Sequence, residues 1–245
     1  AGQHQWWTVK GGSIEYVRRL EAALIARGCR LRTSSPVQQV TRDEFSVSVT
    51  AGGGPAEPYD ELILACHSDQ ALAILGAQAT PQEADALGSI RYQPNKAVLH
   101  CDPGQMPKRR DCWSSWAYRS QDGDIGVTYW MNKLQAIPEN DPLFVTLNPT
   151  SEISADSIYD NVEYAHPVFD KAALKAQRDI RKMQGENHTW FAGAWNRHGF
   201  HEDGIASAMR IVRTLNERHQ IKGLKNAIDQ QGSEIEFPVD LRTSA

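Results

Sequence analysis

The chain has 245 residues, 40% of them apolar, which is enough to bury a core and excludes a disordered chain as the starting expectation. Its 26 basic and 30 acidic residues leave a net charge of −4, so no global basic field argues for nucleic acid or an anionic membrane surface. Four cysteines lie far apart without a C-x-x-C pair, and no stretch approaches a membrane span, which together predict a cytoplasmic protein with reduced thiols.

The first predicted element follows Gly11 and Gly12. Tyr16, Val17, Leu20, Ala23 and Leu24 recur at helical spacing, Ser13 is placed to cap the helix, and Arg27-Gly28 ends it. Leu31 and then Pro36 to Thr50 read as short strands, with Phe45, Val47 and Val49 alternating against Ser46, Ser48 and Thr50. Gly52-Gly53-Gly54-Pro55 breaks that run. Leu62 to Ala65 is then continuously apolar, as expected of a strand buried on both faces. Val40 alone reads as core.

His67 to Leu75 and Pro81 to Leu87 predict two short helices. Beyond Tyr92 the composition shifts toward strands and aromatics: Tyr92 to His100, Trp113 to Tyr118, Ile125 to Met131 and Leu143 to Leu147 are separated by Asp, Gly and Pro clusters and read as a mostly antiparallel sheet. Trp113, Trp116, Tyr118, Tyr129 and Trp130 sit in it. Lys108-Arg109-Arg110, closed by Asp111, reads as a solvated turn. Asp170 to Gln184 is a helix with Ala172, Ala173, Ala176, Ile180 and Met183 on its apolar side, and Gly185 ends it.

The most informative stretch runs from Asn187 to Val212. Thr189 to Ala192 forms a short strand that stops at Gly193, a loop carries Gly199 and Gly204, and Ile205, Met209, Val212 and Leu215 recur at helical spacing from Glu202 onward. Small residues Ala206, Ser207 and Ala208 would let another surface approach the helix start, whose unpaired N–H groups favour an electron-rich ligand edge. Spacing alone fits a packed strand-to-helix crossover equally well. His198, His201, Glu202 and Asp203 carry metal-ligating groups, but H-x-x-H-E-D does not place two histidines on one helical face, so no metal is assigned. There is no G-x-S-x-G elbow, and Cys66 and His67 are adjacent on extended backbone and point apart.

W-F-A-G-A-W followed by G-F-H-E-D-G-I-A-S-A resembles the last flavin-contacting segment of the flavin-containing amine oxidoreductase family, and most of all its bacterial branch of predicted NAD/FAD-binding proteins. The resemblance runs in order over roughly residues 6 to 215 and is sharpest at G-G-S, L-A-C-H-S-D-Q, Y-Q-P-N and G-F-H-E-D-G. It implies an α/β fold of α+β character: two lobes of an FAD-dependent, amine-oxidase-like enzyme without the N-terminal dinucleotide-binding βαβ unit. Residues 1–76 and 188–220 would form a partial FAD-binding lobe, 77–187 a substrate lobe, and 221–245 a polar tail. Contacts to the cofactor, FAD in the complete protein, would come from Gly11, Gly12, Ser13, the backbone of Val40, Gly193, Ala194, Gly199, His201, Glu202, Asp203 and Gly204. Phe200 and Tyr129 would face the small-molecule substrate, and Lys96 would hold a water beside the flavin N5 as the catalytic candidate.

Two departures stand out. Ala194 follows Gly193 where the family commonly has an acidic residue on the ribityl chain, and Asp203 is an extra residue before Gly204. The resemblance implies substrate hydride transfer to flavin. A cofactor-less binding or scaffold remnant of the fold and a flavin-dependent lipid isomerase or desaturase are the alternatives. Because no G-x-G-x-x-G precedes an acidic residue about 20 positions on, and the chain starts inside a motif without an initiator methionine, it reads as a fragment or part of a split protein. Alone it is expected to be colourless and inactive, with a missing N-terminal FAD-binding segment as its partner.

Overall fold

The structure, a computed structural model, describes residues 7–219 and 242–244. In chain order its elements are β1 (Trp7–Val9), α1 (Ser13–Ala26), β2 (Val37–Arg42), β3 (Val47–Ala51), β4 (Glu57–Tyr59), β5 (Leu62–Leu64), α2 (Ser68–Leu75), α3 (Pro81–Gly88), β6 (Tyr92–His100), β7 (Trp116–Gln121), β8 (Asp124–Trp130), α4 (Met131–Gln135), β9 (Phe144–Leu147), β10 (Ile158–Pro167), α5 (Lys171–Lys182), β11 (Thr189–Phe191), α6 (His201–His219) and β12 (Arg242–Ser244). They group into two compact units. One takes the described residues of 1–31, 94–166 and 236–245, and the other takes 32–93 and 167–219. Helix α1 thus groups with the large sheet, while residues 77–93 and 167–187 group with the meander, a division unlike the lobes expected from sequence. The expected polar tail lies outside the described residues except for β12, which pairs antiparallel with β1.

The sheet unit is built on five strands in the order β10-β6-β9-β8-β7. Alternation sends directly paired residues to one face and the next row to the other. The rows Val98–Thr146–Thr128 and His100–Phe144–Trp130 share the buried face. Met106 and Trp113 pack on it, with the Trp113 ring edge-on to Trp130 at 5.2 Å. A polar chain crosses this face: the Asp102 N–H donates to His100 Nδ1 (3.1 Å), His100 Nε2 meets Thr146 Oγ1 (2.7 Å), and Thr146 meets Thr128 (2.9 Å). Since Nδ1 accepts, a neutral ring carries its proton on Nε2 and donates to Thr146. Strand β10, at the sheet edge, lies in a polar and aromatic stretch with no clean alternation and was not anticipated from sequence.

Helix α1 starts one residue earlier than expected. Gly12 is the cap and Ser13 the first helical residue, with no side-chain cap bond. None of its residues is buried, and Ile14, Tyr16, Val17, Leu20 and Ile25 are each 45% or more exposed.

The second unit holds the antiparallel meander β2-β3-β4 and a parallel pair, β5 with β11. Val47 starts β3 fully buried, but Phe45 is exposed in the turn before it, and Leu31 belongs to no strand. Leu75, Leu87, Ile180, Phe191 and Trp195 fill a core with Val40, Val47 and Leu64. Asp170 caps α5 through the Ala173 N–H, and Thr80 forms a capping box with Glu83 at α3.

Inside this unit Arg42 and Glu83 form a two-pronged pair at 2.7 and 2.8 Å, both side chains 4% exposed. Arg42 also donates to Thr189 Oγ1 (3.2 Å) and to the Gln78 carbonyl, and Glu83 accepts the Thr80 N–H (2.8 Å). Burial pushes the Glu83 carboxyl up, but the bonds from Arg42 and Thr80 outweigh it and hold it below the ordinary value.

The expectation that Leu62 to Ala65 is buried on both faces is not met. Leu64 is buried but Ile63, on the opposite face, is 43% exposed, and among the described residues β5 pairs with β11 alone. The outer edge of β11 is sealed by its own chain: the Gly185 N–H donates to Thr189 O (2.9 Å), and the Gln184 amide both accepts from Phe191 N (2.9 Å) and donates to Phe191 O (2.8 Å). The other edge of β5 pairs with no strand among the described residues.

Arg42→Ala leaves a buried carboxylate unpaired and is expected to lower unfolding free energy by about 3–5 kcal/mol in urea denaturation. A loss no larger than that of an exposed Arg→Ala control would remove the pair from this role. His100 supplies a pH effect of known sign: burial, opposed by Asp102, lowers its pKa below the ordinary 6.5. The unfolded chain therefore binds the proton more readily than the folded one. Stability is full above pH 6.5 and falls as pH drops below it, and His100→Gln should flatten that slope in the sheet unit.

Candidate functional site

The strand, loop and helix at Thr189–His219 fold around three polar anchors. Asp203 is 5% exposed, and its Oδ2 accepts the N–H groups of His198 (3.2 Å) and Phe200 (3.1 Å), closing the loop onto the first turn of α6. Ser207, also buried, accepts the Gly193 N–H (2.9 Å) and donates to Gly204 O (2.7 Å). Trp195 donates to Cys66 O (2.9 Å), tying the loop to the end of β5, and Gln177 of α5 donates to the Trp195 and Arg197 carbonyls. The Ala194 carbonyl takes the N–H groups of Arg197 and Gly199.

The glycines differ in kind. A Cβ at Gly193 would lie 2.4 Å from Trp195 Nε1, whereas one at Gly204 would meet nothing closer than Ala194 N at 3.7 Å. Gly193 is therefore required by the fold of the loop. Gly204 is not required in this way: a Cβ there would be in ordinary contact with the described residues.

Helix α6 begins at His201 and turns Asp203, Ser207 and Ile211 inward, a stripe at four-residue spacing. The apolar side expected from sequence is displaced: Ile205 is 52% exposed and Met209, Val212 and Leu215 are half-buried. The polar residues win the inner face because they satisfy loop backbone that would otherwise be buried unpaired. His201 and Glu202 are exposed, and their first-turn N–H groups have no acceptor among the described residues. Phe200 is 70% exposed beside them.

Asp203 is thus committed inward, away from the exposed His198, His201 and Glu202. No group of three or more His, Cys, Asp or Glu among the described residues could hold a metal ion. At the opposite end of α6, Glu61 accepts from Trp190 Nε1 (2.7 Å), Arg218 (3.2 Å) and His219 (2.8 Å). Burial raises its pKa, but these three donors overcome that and lower it.

Lys96 lies in the sheet unit on β6. Its N–H donates to Asn148 Oδ1 (3.0 Å) and its carbonyl accepts from Asn148 N (2.8 Å). Two positions before Val98, it belongs to the face of Val98, Thr146 and His100, and with Thr150, Ser151 and Glu152 it lines a cavity of about 450 Å³. The Thr150 hydroxyl is buried there without a hydrogen-bond partner.

Tyr129 pairs with Val145 and Trp116, one row out of phase, and so stands on the other face. Tyr118 (73% exposed), Trp116 (42%) and Ile125 (61%) share that face, while Trp113 and Trp130 are core on the first. The structure thus separates the catalytic candidate from the aromatic substrate candidate by the thickness of one sheet. Strand pairing, which sets this phase, could not be read from the sequence. Thr150 and Glu152 had no sequence signal, because their place beside Lys96 comes from the β9–β10 connection. Gly11, Gly12 and Ser13 lie in the sheet unit at the start of α1. Val40 is 1% exposed, and its backbone lies in the β2–β3 ladder opposite Val49.

With a meander, a parallel strand pair and a glycine loop leading into a helix established, likeness to known proteins decides the family. The family described as flavin containing amine oxidoreductase matches residues 1–142. The chain belongs to the flavin-containing amine oxidoreductases. No curated protein matches it. Among solved structures it is similar to a putrescine oxidase with a redesigned cofactor site (15% identity, TM-score 0.57, 85% of this chain and 53% of that one). It is also similar to the cyclohexylamine oxidase from Brevibacterium oxydans (12%, 0.53, 85% and 53%) and to a fatty acid isomerase from P. acnes (12%, 0.51, 74% and 47%). At such identities the likeness shows the fold. The chain spans about half the length of these structures.

The amine oxidoreductase family is flavin-containing, and the residues present fit a flavin in part. The slim start of α6 offers unpaired N–H donors to an electron-rich edge. Ala194 supplies no acceptor beside Gly193, and Asp203 has turned inward to hold the loop. No helix among the described residues is long and apolar enough to cross a membrane.

Gly193→Ala is expected to lower the melting temperature by several degrees, about 1–3 kcal/mol of overpacking. Gly204→Ala should leave it unchanged or raise it, since alanine is the better helix former by up to about 1 kcal/mol. Equal losses in a thermal melt would mean that the two glycines do not differ as the loop geometry requires.

Proposed function

We propose that this chain forms the C-terminal part of an FAD-dependent oxidoreductase, amine-oxidase-like, in which a small-molecule substrate passes a hydride to flavin. The observation that carries the reading is the rigid β11–loop–α6 segment. Its buried anchors Asp203, Ser207 and Trp195 hold a helix start that is slim at Gly204, where no other described residue crowds it. When bound, flavin would supply the redox chemistry, and the protein supplies binding and orientation.

The His201 and Glu202 N–H groups would meet the electron-rich edge of the ring, and Gly193 and Ala194 would pass beneath the ribityl chain. Phe200 projects beside the helix start as a substrate-side contact. Lys96, in its cavity with the unpartnered Thr150 hydroxyl, would hold a water or a substrate heteroatom in place. Free cysteines at positions 29, 66, 101 and 112 support a reducing, cytoplasmic setting.

The open edge of β5 supports a partner segment. A parallel pair with one bare edge and an exposed Ile63 is completed by another strand, and a dinucleotide-binding βαβ segment would bring the pyrophosphate anchor this chain lacks. A cofactor-less scaffold is the second reading, favoured by Ala194 and by the inward commitment of Asp203.

Fusing an N-terminal βαβ segment of the family to residues 1–245 tests both. The expected product is yellow, with flavin absorbance that stays through gel filtration, and a colourless fused protein that is fully folded would support the scaffold instead. In the yellow fusion, Gly204→Val should lower flavin content more than it lowers the melting temperature. Phe200→Ala and Lys96→Met should slow substrate-driven flavin reduction at full flavin content, and unchanged reduction would return both residues to structural roles.

A further inference from the structure

A second cleft lies on the far side of β11 from β5, between α5 and α6. It encloses about 210 Å³, with Trp190 and Ile211 at its base, and each helix contributes one arginine: Arg181 from α5 and Arg210 from α6. No carboxylate lines it, although the chain has 30 acidic residues to 26 basic ones. Both arginines are exposed, and neither has a hydrogen bond or ion pair from its side chain among the described residues. Their neighbours are otherwise engaged. Asp179, the acid nearest Arg181 in sequence, is held by Lys175 and Lys182, and Arg218 is held by Glu61.

The polar groups at the base are already satisfied. Gln184 is spent on both backbone groups of Phe191, and Ser207 on Gly193 and Gly204. The free donors of the cleft are therefore its two guanidinium forks. One fork matches a carboxylate, whereas two forks from opposite walls match a group with three oxygens and nearly two negative charges. The volume, smaller than the roughly 300–1,000 Å³ of a drug-sized pocket, fits such a head group and little more.

We propose that the Arg181–Arg210 cleft is a phosphate-binding site, taking inorganic phosphate or the phosphate of a small monoester whose remainder stays outside. The site is made of α5, β11, α6 and the segments that join them, and does not rest on flavin binding.

Isothermal titration of the full chain with inorganic phosphate, ribose 5-phosphate and acetate, at one ionic strength, tests it. Phosphate is expected to bind with a Kd of about 1 mM or tighter. Arg181→Gln and Arg210→Gln should each weaken it about tenfold or more at an unchanged melting temperature. Arg178→Gln and Arg213→Gln, on the same helices but outside the cleft, should leave it unchanged. Equal affinity for the two phosphates identifies the free ion as sufficient, and tighter ribose 5-phosphate binding identifies a monoester. The proposal is overturned by the absence of saturable phosphate binding, by acetate binding as tightly, or by control variants that lose as much as the cleft variants.

Discussion

Much of the meander unit depends on the Arg42–Glu83 pair. Two charges taken out of water cost several kcal/mol each unless every donor and acceptor finds a partner. Here the guanidinium meets both oxygens of Glu83, Thr189 Oγ1 and the Gln78 carbonyl, while the carboxylate also closes the α3 capping box. Those partners come from β2, α3, β11 and the turn between α2 and α3. The pair is satisfied only when all of them are in place, so it fixes where β11 begins. Everything downstream of Thr189, including the glycine loop and the start of α6, is aimed from that point.

The parallel pair that β11 makes with β5 has two unlike edges. On β11 the backbone is closed by a glutamine amide acting as a strand of one residue, with a glycine N–H beside it and a serine hydroxyl beyond. Nothing among the described residues does this for β5. Among the described residues one edge of the pair is closed by side chains and the other is left unpaired, the kind of edge that proteins otherwise cover or blunt. Helix α1, without a buried residue, shows the same condition in the sheet unit. Each unit is ordered by its own core yet retains apolar surface, such as Ile63 in one and Val17 in the other, that its own residues leave exposed.

Helix positions and the meander were legible from periodicity and turn residues, because these depend on neighbours in sequence. The stops at Gly28 and Gly185 are of the same local kind. What escaped depends on partners far along the chain. The phase that puts Lys96 and Tyr129 on opposite faces is set by pairing through β9. The inward stripe of α6 is polar, so hydrophobic spacing pointed to Ile205 and Met209 instead. Asp203 read as an extra residue near a ligand and proves to be the acceptor that holds the loop. The strand, glycine loop and helix order was legible from sequence, but which glycine the loop itself requires could be told only from the Trp195 ring against Gly193.

Two contacts that tie the β11 segment back to the β5 region join residues far apart in the chain. Glu61 and Trp190, and likewise Cys66 and Trp195, are separated by 129 positions. Closing so long a loop costs entropy before any of these bonds can form, and non-local pairing slows folding. The β2–β4 meander and the β7–β8 hairpin, by contrast, join near neighbours and can form early. During synthesis β5 emerges with its hydrogen-bonding edges exposed and waits for more than a hundred further residues before β11 arrives. Over that interval the Leu62–Leu64 strand is a site where a nascent chain can associate wrongly, and chaperone demand should concentrate there.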